Sequence, residues 1–431
     1  MIKDIVVSWP PGFITRLAHD AQMPHYKRKL FFVFFHAFFL LALTVLLQYT
    51  SFIRSDEVDF LKLAAILKHD IFKSDEKPWS KNIVFIDVSK DPSLADDSEY
   101  GPPDSTMRGA QRVITDRVKL AKLFSIINQH PNEYKYVICD VLFDKPGPGD
   151  SSLKPQIEKL KKIVISTIWE NDKLVKPIYK VPSGVVNYSA INKTIFTKMP
   201  IYYKDSLKSL PACLFEKTTP YRFTRRYFTF LDGKPTFNTM IPEFYYRTAD
   251  MVTGDMVNAD TVAAHKKINI NTYYLGELLA DPDCFNVLKN KFIVIGDFAN
   301  DLHVTYLGRM PGSLILWNTY LTLYKHRVSI SANWLLMLFF CYFLISYWTI
   351  IHPEKKINEI HKKIRVPFLS KFLINYISFI GVLVLINIFS YFYFGTFVSL
   401  FYIATYLTFI QLVIEKYPEW KKNLYEYIVS L

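Results

Sequence analysis

The sequence predicts an α/β protein tied to a membrane: an extracytoplasmic mixed, largely parallel sheet flanked by helices, plus four transmembrane α-helices, one before the sheet and three after it. Three observations predict this. Short apolar runs that end in an acid recur at residues 82–88, 136–143 and 292–295, the pattern of strands covered on both faces. Segments with apolar residues at helical spacing alternate with the earlier runs, and strand, helix, strand, helix, strand implies a parallel sheet with right-handed crossovers. Finally, the aromatic surplus, 16% of all residues, is concentrated in four apolar blocks rather than spread evenly.

In chain order, residues 1–29 form a cytoplasmic segment with a turn-rich Trp9-Pro10-Pro11-Gly12-Phe13 run, followed by ITRLAHDAQM, which reads as a short amphipathic helix on the inner leaflet. Block 30–48, LFFVFFHAFFLLALTVLLQ, is uncharged and matches the roughly 20 residues that cross a hydrocarbon core. Polar residues precede it and no small-residue cleavage site follows, so it reads as an uncleaved anchor. Residues 332–351, 372–394 and 396–414 are the other spans, with a basic cytoplasmic loop at 352–371 and a tail at 415–431. Basic residues in short loops stay on the cytoplasmic side. Lys27, Arg28 and Lys29, the loop residues Lys355, Lys356, Lys362, Lys363 and Arg365, and Lys416, Lys421 and Lys422 therefore put both termini inside and 49–331 outside. The same residues account for much of the net charge of +13 through topology and anionic lipid, and no basic stripe with interleaved aromatics points to nucleic acid.

Within 49–331, residues 57–67 have helical spacing and read as a stalk, 82–88 as a strand, and the Pro-rich stretch 91–111 as a loop. Thr115 or Asp116 caps a helix whose Leu120, Leu123, Phe124 and Ile127 fall on one face. A second strand at 136–143, a turn at 144–150, a helix at 151–162 with Ile157 and Leu160 inward, and a third strand at 163–168 follow. Between 169 and 265 the pattern is less regular. Asp232-Gly233 marks a tight hairpin, 240–247 reads as a helix, and 267–271 as a strand. Residues 292–295 close the series of strands, and a helix from Pro311 to Arg327 runs toward the second span. Cys341 falls in that span, Cys139 reads as a small buried hydrophobe, a Cys213 to Cys284 bridge stays open, and no zinc spacing occurs.

An acid stands at the end of each apolar run: Asp87, Asp140 with Asp144, and Asp297 with Asp301. In an open parallel sheet, ligands bind outside the carboxyl ends of the strands, so these acids can converge on one pocket. Clustered carboxylates hold divalent cations, receive basic ligands or work as acid and base. Aspartate also starts turns and caps helices, and that reading competes throughout. Asp297 with Asp301 is the best pair; Asp150 reads as a cap. His303 beside Asp301 suits a base or a packing residue, and Arg309 and Arg117 suit an anion clamp or charge neutralisation. The candidate ligand-binding set is therefore Asp87, Asp140, Asp297, Asp301, His303, Arg309 and Arg117, with no catalytic residue, no cofactor and the metal question open. No G-x-S-x-G, glycine-rich phosphate loop, H-E-x-x-H or kinase signature occurs, so the sequence points away from an enzyme.

Three segments, KNIVFIDVS, YKYVICDVLFD and KNKFIVIGDFANDLHVTYLGRMPGSLILWNTYLTLY, resemble the type-2 CHASE domain, a sensory extracellular domain associated with cyclases and histidine kinases. The resemblance covers roughly 49–351 and implies one amino-terminal span, an extracellular α/β sensor and three further spans. It implies a bacterial cytoplasmic (inner) membrane location with 49–331 periplasmic, and recurring positions at Asp87, Asp140, Asp297, Asp301, Gly308, Pro311, Gly312 and Asn318. Two departures stand out. The helix that usually reads like E-I-H-A-N is Leu314-Ile315-Leu316-Trp317-Asn318 here, and the Trp-Pro-Trp-rich turn before the first helix is absent, with only Arg117 retained. About seventeen residues follow Ile414, too few for an output domain, so output is expected from protein partners in the membrane or cytoplasm. The expected function is a sensor that binds a small ligand or partner and relays the signal; the alternatives are a structural or scaffolding subunit of an envelope complex and a membrane-anchored hydrolase using the acid cluster.

Overall fold

The computed structural model describes residues 25–49, 55–71, 80–96, 111–191, 195–204, 206–248, 251–252, 270–325, 328–351 and 367–414. The chain divides into two compact units. One comprises Ser51–Ile330 with Gly395–Phe397, the other Met1–Thr50, Ser331–Phe394 and Val398–Leu431.

The helices are α1 (His25–Tyr49), α2 (Ser55–Ile66), α3 (Arg117–Gln129), α4 (Asp150–Ile157), α5 (Leu210–Thr218), α6 (Leu275–Ala280), α7 (Cys284–Leu288), α8 (Gly312–Tyr324), α9 (Ala332–Ile351), α10 (Pro367–Phe394) and α11 (Leu400–Ile414). The strands begin with β1 (Ile83–Asp87), β2 (Pro92–Asp96), β3 (Gln111–Thr115), β4 (Tyr136–Asp140), β5 (Ile163–Glu170), β6 (Lys173–Val175), β7 (Ser183–Val185), β8 (Ser189–Ile191) and β9 (Ile195–Pro200). They continue with β10 (Phe223–Arg225), β11 (Thr229–Leu231), β12 (Lys234–Thr236), β13 (Thr239–Met240), β14 (Met251–Val252), β15 (Ile270–Tyr274), β16 (Phe292–Gly296), β17 (Leu302–Thr305) and β18 (Gly308–Pro311).

The first unit is the expected mixed, largely parallel sheet flanked by helices. Its order is β14-β15-β1-β16-β4-β5, with β7 parallel and β6 antiparallel beside β5. β16, Phe-Ile-Val-Ile-Gly, is buried at every position and lies between β1 and β4, with Val294 opposite both Phe85 and Ile138. Side chains alternate between two covered faces, which is why these runs are apolar throughout. Val84, Ile86, Val137, Cys139, Ile293 and Ile295 meet Leu120, Phe124, Ile127, Leu153 and Leu278 in one core. On the opposite face the Phe292 ring meets Trp317 and Tyr320 of α8 at 5.3 and 5.8 Å. Burying each such side chain stabilises the fold by about 1.5 to 3 kcal/mol.

Asp116 caps α3 as expected, accepting from the amides of Val118 and Lys119, and the four predicted core residues of that helix are buried. The hairpin at Asp232-Gly233 forms with φ of 51° and 76°, joining β11 to β12. Other expectations need correction. The second strand stops at Asp140, and the helix after it stops at Ile157. The ends of the 91–111 stretch are not loop but the antiparallel pair β2 and β3; 97–110 lie outside the described residues. The strand expected at 267–271 runs Ile270–Tyr274. Residues 240–247 form no helix: the side chains of Asn318 and Thr322 on α8 take up the backbone there, Asn318 bonding both the amide and the carbonyl of Tyr246 and Thr322 accepting from the Glu243 amide. A buried apolar stretch mimics helical spacing, but its hydrogen bonds run to a neighbouring element instead. The cysteines are all free, Cys139 buried in β4 as expected and Cys213 not joined to Cys284.

In the second unit, Lys29–Gln48 and Ala332–Ile350 are long and apolar enough to cross a membrane. The other apolar stretches, Phe379–Phe394 and Leu400–Ile414, are shorter, so the described helices supply two candidate spans rather than the expected four. α1 meets α9 through Thr44 and Tyr342 hydroxyls 2.7 Å apart and through His36 Nδ1, 2.8 Å from Ser346 Oγ. Large side chains such as Phe31, Phe35, Phe340 and Trp348 point outward from this pair. The expected amphipathic helix near the amino end, the basic loop at 352–366 and the tail at 415–431 lie outside the described residues.

Candidate functional site

Three glycines shape the corner where β16 hands over to α8. Gly296 has no Cβ, and one placed there would collide with the Ser313 hydroxyl, so glycine lets the helix start against the strand end. Gly308, with φ of 104°, closes the tight turn between β17 and β18. That hairpin folds Asp301 and His303 back over the first turn of α8, where the Gly312 amide donates to the Asp301 carbonyl at 3.0 Å. A Cβ on Gly312 would strike the Asp301 carboxylate and lie 3.2 Å from His303 Nε2.

The result is a cleft of about 560 Å³ at the carboxyl ends of the central strands. Its polar lining is Asp140, Asp144, Asp297, Asp301, His303, Arg112, Thr115, Asn187 and Tyr188; its apolar wall includes Val113, Leu142, Phe196, Met199, Ile315 and Leu316. His303 is the hub. Its Nε2 lies 3.0 Å from Asp301 Oδ1 and its Nδ1 lies 2.8 Å from the Tyr188 hydroxyl. The bond to Asp301 holds the imidazole above its ordinary pKa against the opposing effect of burial. Asp140, at the end of β4, accepts from the Ser166 hydroxyl at 2.6 Å. Burial first, and the Asp301 charge second, push its carboxyl up to about 6, while the Ser166 hydroxyl, the His303 charge and the Ser313 hydroxyl, in that order, pull it back. Arg112 on β3 lies 3.6 Å from Asp144 and neutralises it.

Of the sequence-predicted residues, Asp140, Asp297, Asp301 and His303 come together on the cleft. Asp297 nonetheless spends its carboxylate on the amides of Ala299 and Asn300 and the Asn300 side chain, the turn-starting role. Asp87 is not on the cleft. Buried beneath it, its carboxylate accepts from the Ser89 amide at 2.9 Å and the Phe298 amide at 3.2 Å, and so ties two strand ends together. Arg309 is exposed on β18 and does not line the cleft; pairing across the hairpin turns it away. Arg117 is no anion clamp either. It is buried and donates to Asp150 and, at 2.8 Å, to the Lys145 carbonyl, with its guanidinium 5.7 Å from the Phe143 ring. Asp150 is not the cap of α4; Gly149, with φ of 87°, takes that place, and the Asp150 carboxylate accepts from Arg117, Tyr179 and the Gly147 amide.

Sequence reasoning missed Tyr188, Ser166, Ser313, Asn187 and Arg112. Ser166 and Ser313 sit in otherwise apolar segments, a signal that a strand or helix position faces something polar. Tyr188 lies in the irregular middle third and carried no signal. Among the described residues no group of three or more His, Cys, Asp or Glu side chains has the arrangement of a metal site. No family model, no curated protein and no solved structure matches the chain.

Proposed function

We propose that this chain is a membrane-anchored receptor whose α/β unit binds a small ligand in the cleft at the ends of β4 and β16, on the extracytoplasmic side. The single observation that supports it most is the cleft itself, where Asp140, Asp301 and His303 meet beside an apolar wall, the composition of a small-molecule pocket. α8 begins at the cleft and is followed after Tyr324 by α9, so a change at Asp301 and Gly312 has a continuous path along the chain toward a candidate span. Transmission of that kind requires two states that differ in ligand affinity. In this reading the chain crosses the bacterial cytoplasmic membrane four times, the type-2 CHASE resemblance describes the sensor, the chain binds rather than catalyses, and separate proteins take up the signal.

A second reading, a docking subunit of an envelope complex, is favoured by the turn between β10 and β11. There Tyr227 is 95% exposed and Phe228 54% exposed beside Arg226, residue types that anchor protein interfaces.

The receptor reading is tested on the full chain in lipid nanodiscs by screening small molecules for thermal stabilisation. Leu142 is an exposed part of the cleft wall, and Leu142→Trp fills the cleft without touching the sheet core. Compounds that stabilise the wild type and lose that effect in Leu142→Trp support the reading; stabilisation that is unchanged in the variant contradicts it.

A further inference from the structure

We propose that the cleft takes a ligand with a cationic amine head and an apolar body, the amine pairing with Asp140. This rests on reading the cleft as a small-ligand site and adds the chemical class of the ligand.

The charge inventory of the cleft leads there. Arg112 is matched to Asp144, and His303 is held between Asp301 and Tyr188. Asp297 is occupied by backbone amides. Asp140 differs from all of these. Among the described residues no ion pair and no amide donor reaches its carboxylate, which receives a hydroxyl from Ser166 and the influence of the Ser313 hydroxyl. The charged groups that face it are Asp301, which repels it, and His303, whose charge is shared with Asp301.

A carboxylate in that position is disfavoured by burial and by a like charge, and both penalties are reversed by one event, the arrival of a cation. An anionic head would meet four carboxylates, Asp140, Asp144, Asp297 and Asp301, against two cations: His303, held by Asp301, and Arg112, which pairs with Asp144 at 3.6 Å and whose Nε makes no hydrogen bond. A neutral head would leave Asp140 uncompensated. The apolar part of the lining, with Leu142, Phe196, Met199 and Ile315, suits a hydrocarbon or aromatic body. A small aliphatic or aryl-alkyl amine satisfies both halves of the site.

The test uses the full chain in lipid nanodiscs and three probes of one shape: 2-phenylethylamine, 2-phenylethanol and 3-phenylpropionate, titrated calorimetrically at pH 7.5. The amine is expected to bind at least tenfold more tightly than the alcohol, and the carboxylate not at all. In Asp140→Asn, whose fold is checked by its melting curve, the amine is expected to fall to the affinity of the alcohol. At pH 6, where the Asp140 carboxyl is about half protonated, binding of the amine to the wild type is expected to release protons, and binding to Asp140→Asn fewer. Equal binding of all three probes, abolished by Leu142→Trp, would overturn the amine head and leave the cleft as a site. Absence of amine binding, or amine preference unchanged in Asp140→Asn, would overturn the inference, and the stabilisation screen then judges the receptor reading by itself.

Discussion

Asp140 and His303 make the stability of the α/β unit depend on pH with a definite sign. The Asp140 carboxyl sits at about 6 in the fold against an ordinary 3.8, so between those values the folded chain holds a proton that the unfolded chain has lost. Stability therefore falls as pH rises through that window. His303, raised above 6.5 by Asp301, contributes stability that is present below 6.5 and lost as pH climbs through its folded value, the same direction. Thermal melts should show the wild type more stable at pH 5 than at pH 7.5, and Asp140→Asn should remove the lower part of that slope and gain about 2 to 3 kcal/mol at pH 7.5. A flat profile for the wild type would contradict the assignment. Arg117 makes a contrasting case. It is 2% exposed and paired with Asp150, so Arg117→Met should cost about 3 kcal/mol in denaturant unfolding at pH 7 and leave ligand binding unchanged. What the sequence shows at this scale is the residue type and little of its task. Asp87, Asp140 and Asp297 each end an apolar run, and one in three, Asp140, faces the cleft with a hydroxyl on its carboxylate in place of amides; the others bond to amides contributed by loops whose course no local pattern reveals.

α8 links the cleft to the rest of the fold. Its first turn touches Asp301 and His303, and its middle clamps the segment before Arg247 through Asn318, which donates to the Tyr246 and Leu314 carbonyls and accepts from the Tyr246 amide. Asn318→Ala should cost about 3 kcal/mol, because it strands buried backbone groups, and hydrogen exchange should speed up selectively at Tyr246. Unchanged protection there would show that the clamp is not needed. Gly312→Ala places a methyl group against the Asp301 carboxylate, so it should disturb the Asp301 to His303 pair; an NMR titration should find the His303 pKa lowered toward the ordinary 6.5. The elements themselves are legible wherever burial and spacing agree: apolar runs mark β1, β4 and β16, and one buried face marks α3. The error at 240–247 has a physical origin, since an apolar segment whose hydrogen bonds are supplied by side chains of another helix carries no mark of it in its own residues. The five-stranded sheet that carries His303 is not legible for a different reason: its hairpin β17 to β18 is short, and β17 finds its other partner in β9, more than a hundred residues earlier in the chain.

At the scale of the molecule, the α/β unit between Ser51 and Ile330 is entered from one apolar helix and left into another, both long enough to cross a bilayer. Outward-pointing phenylalanines on α1 would be costly in water and are ordinary in lipid. The receptor reading turns on which side of that bilayer the cleft opens. Tyr227, at 95% exposure, supplies a probe position that touches neither the cleft nor the core. In a background with Cys139, Cys213, Cys284 and Cys341 replaced, Tyr227→Cys should react with a membrane-impermeant maleimide added to intact spheroplasts, as fully as it does after lysis. Labelling that appears only after lysis would place the unit in the cytosol and contradict the extracytoplasmic receptor.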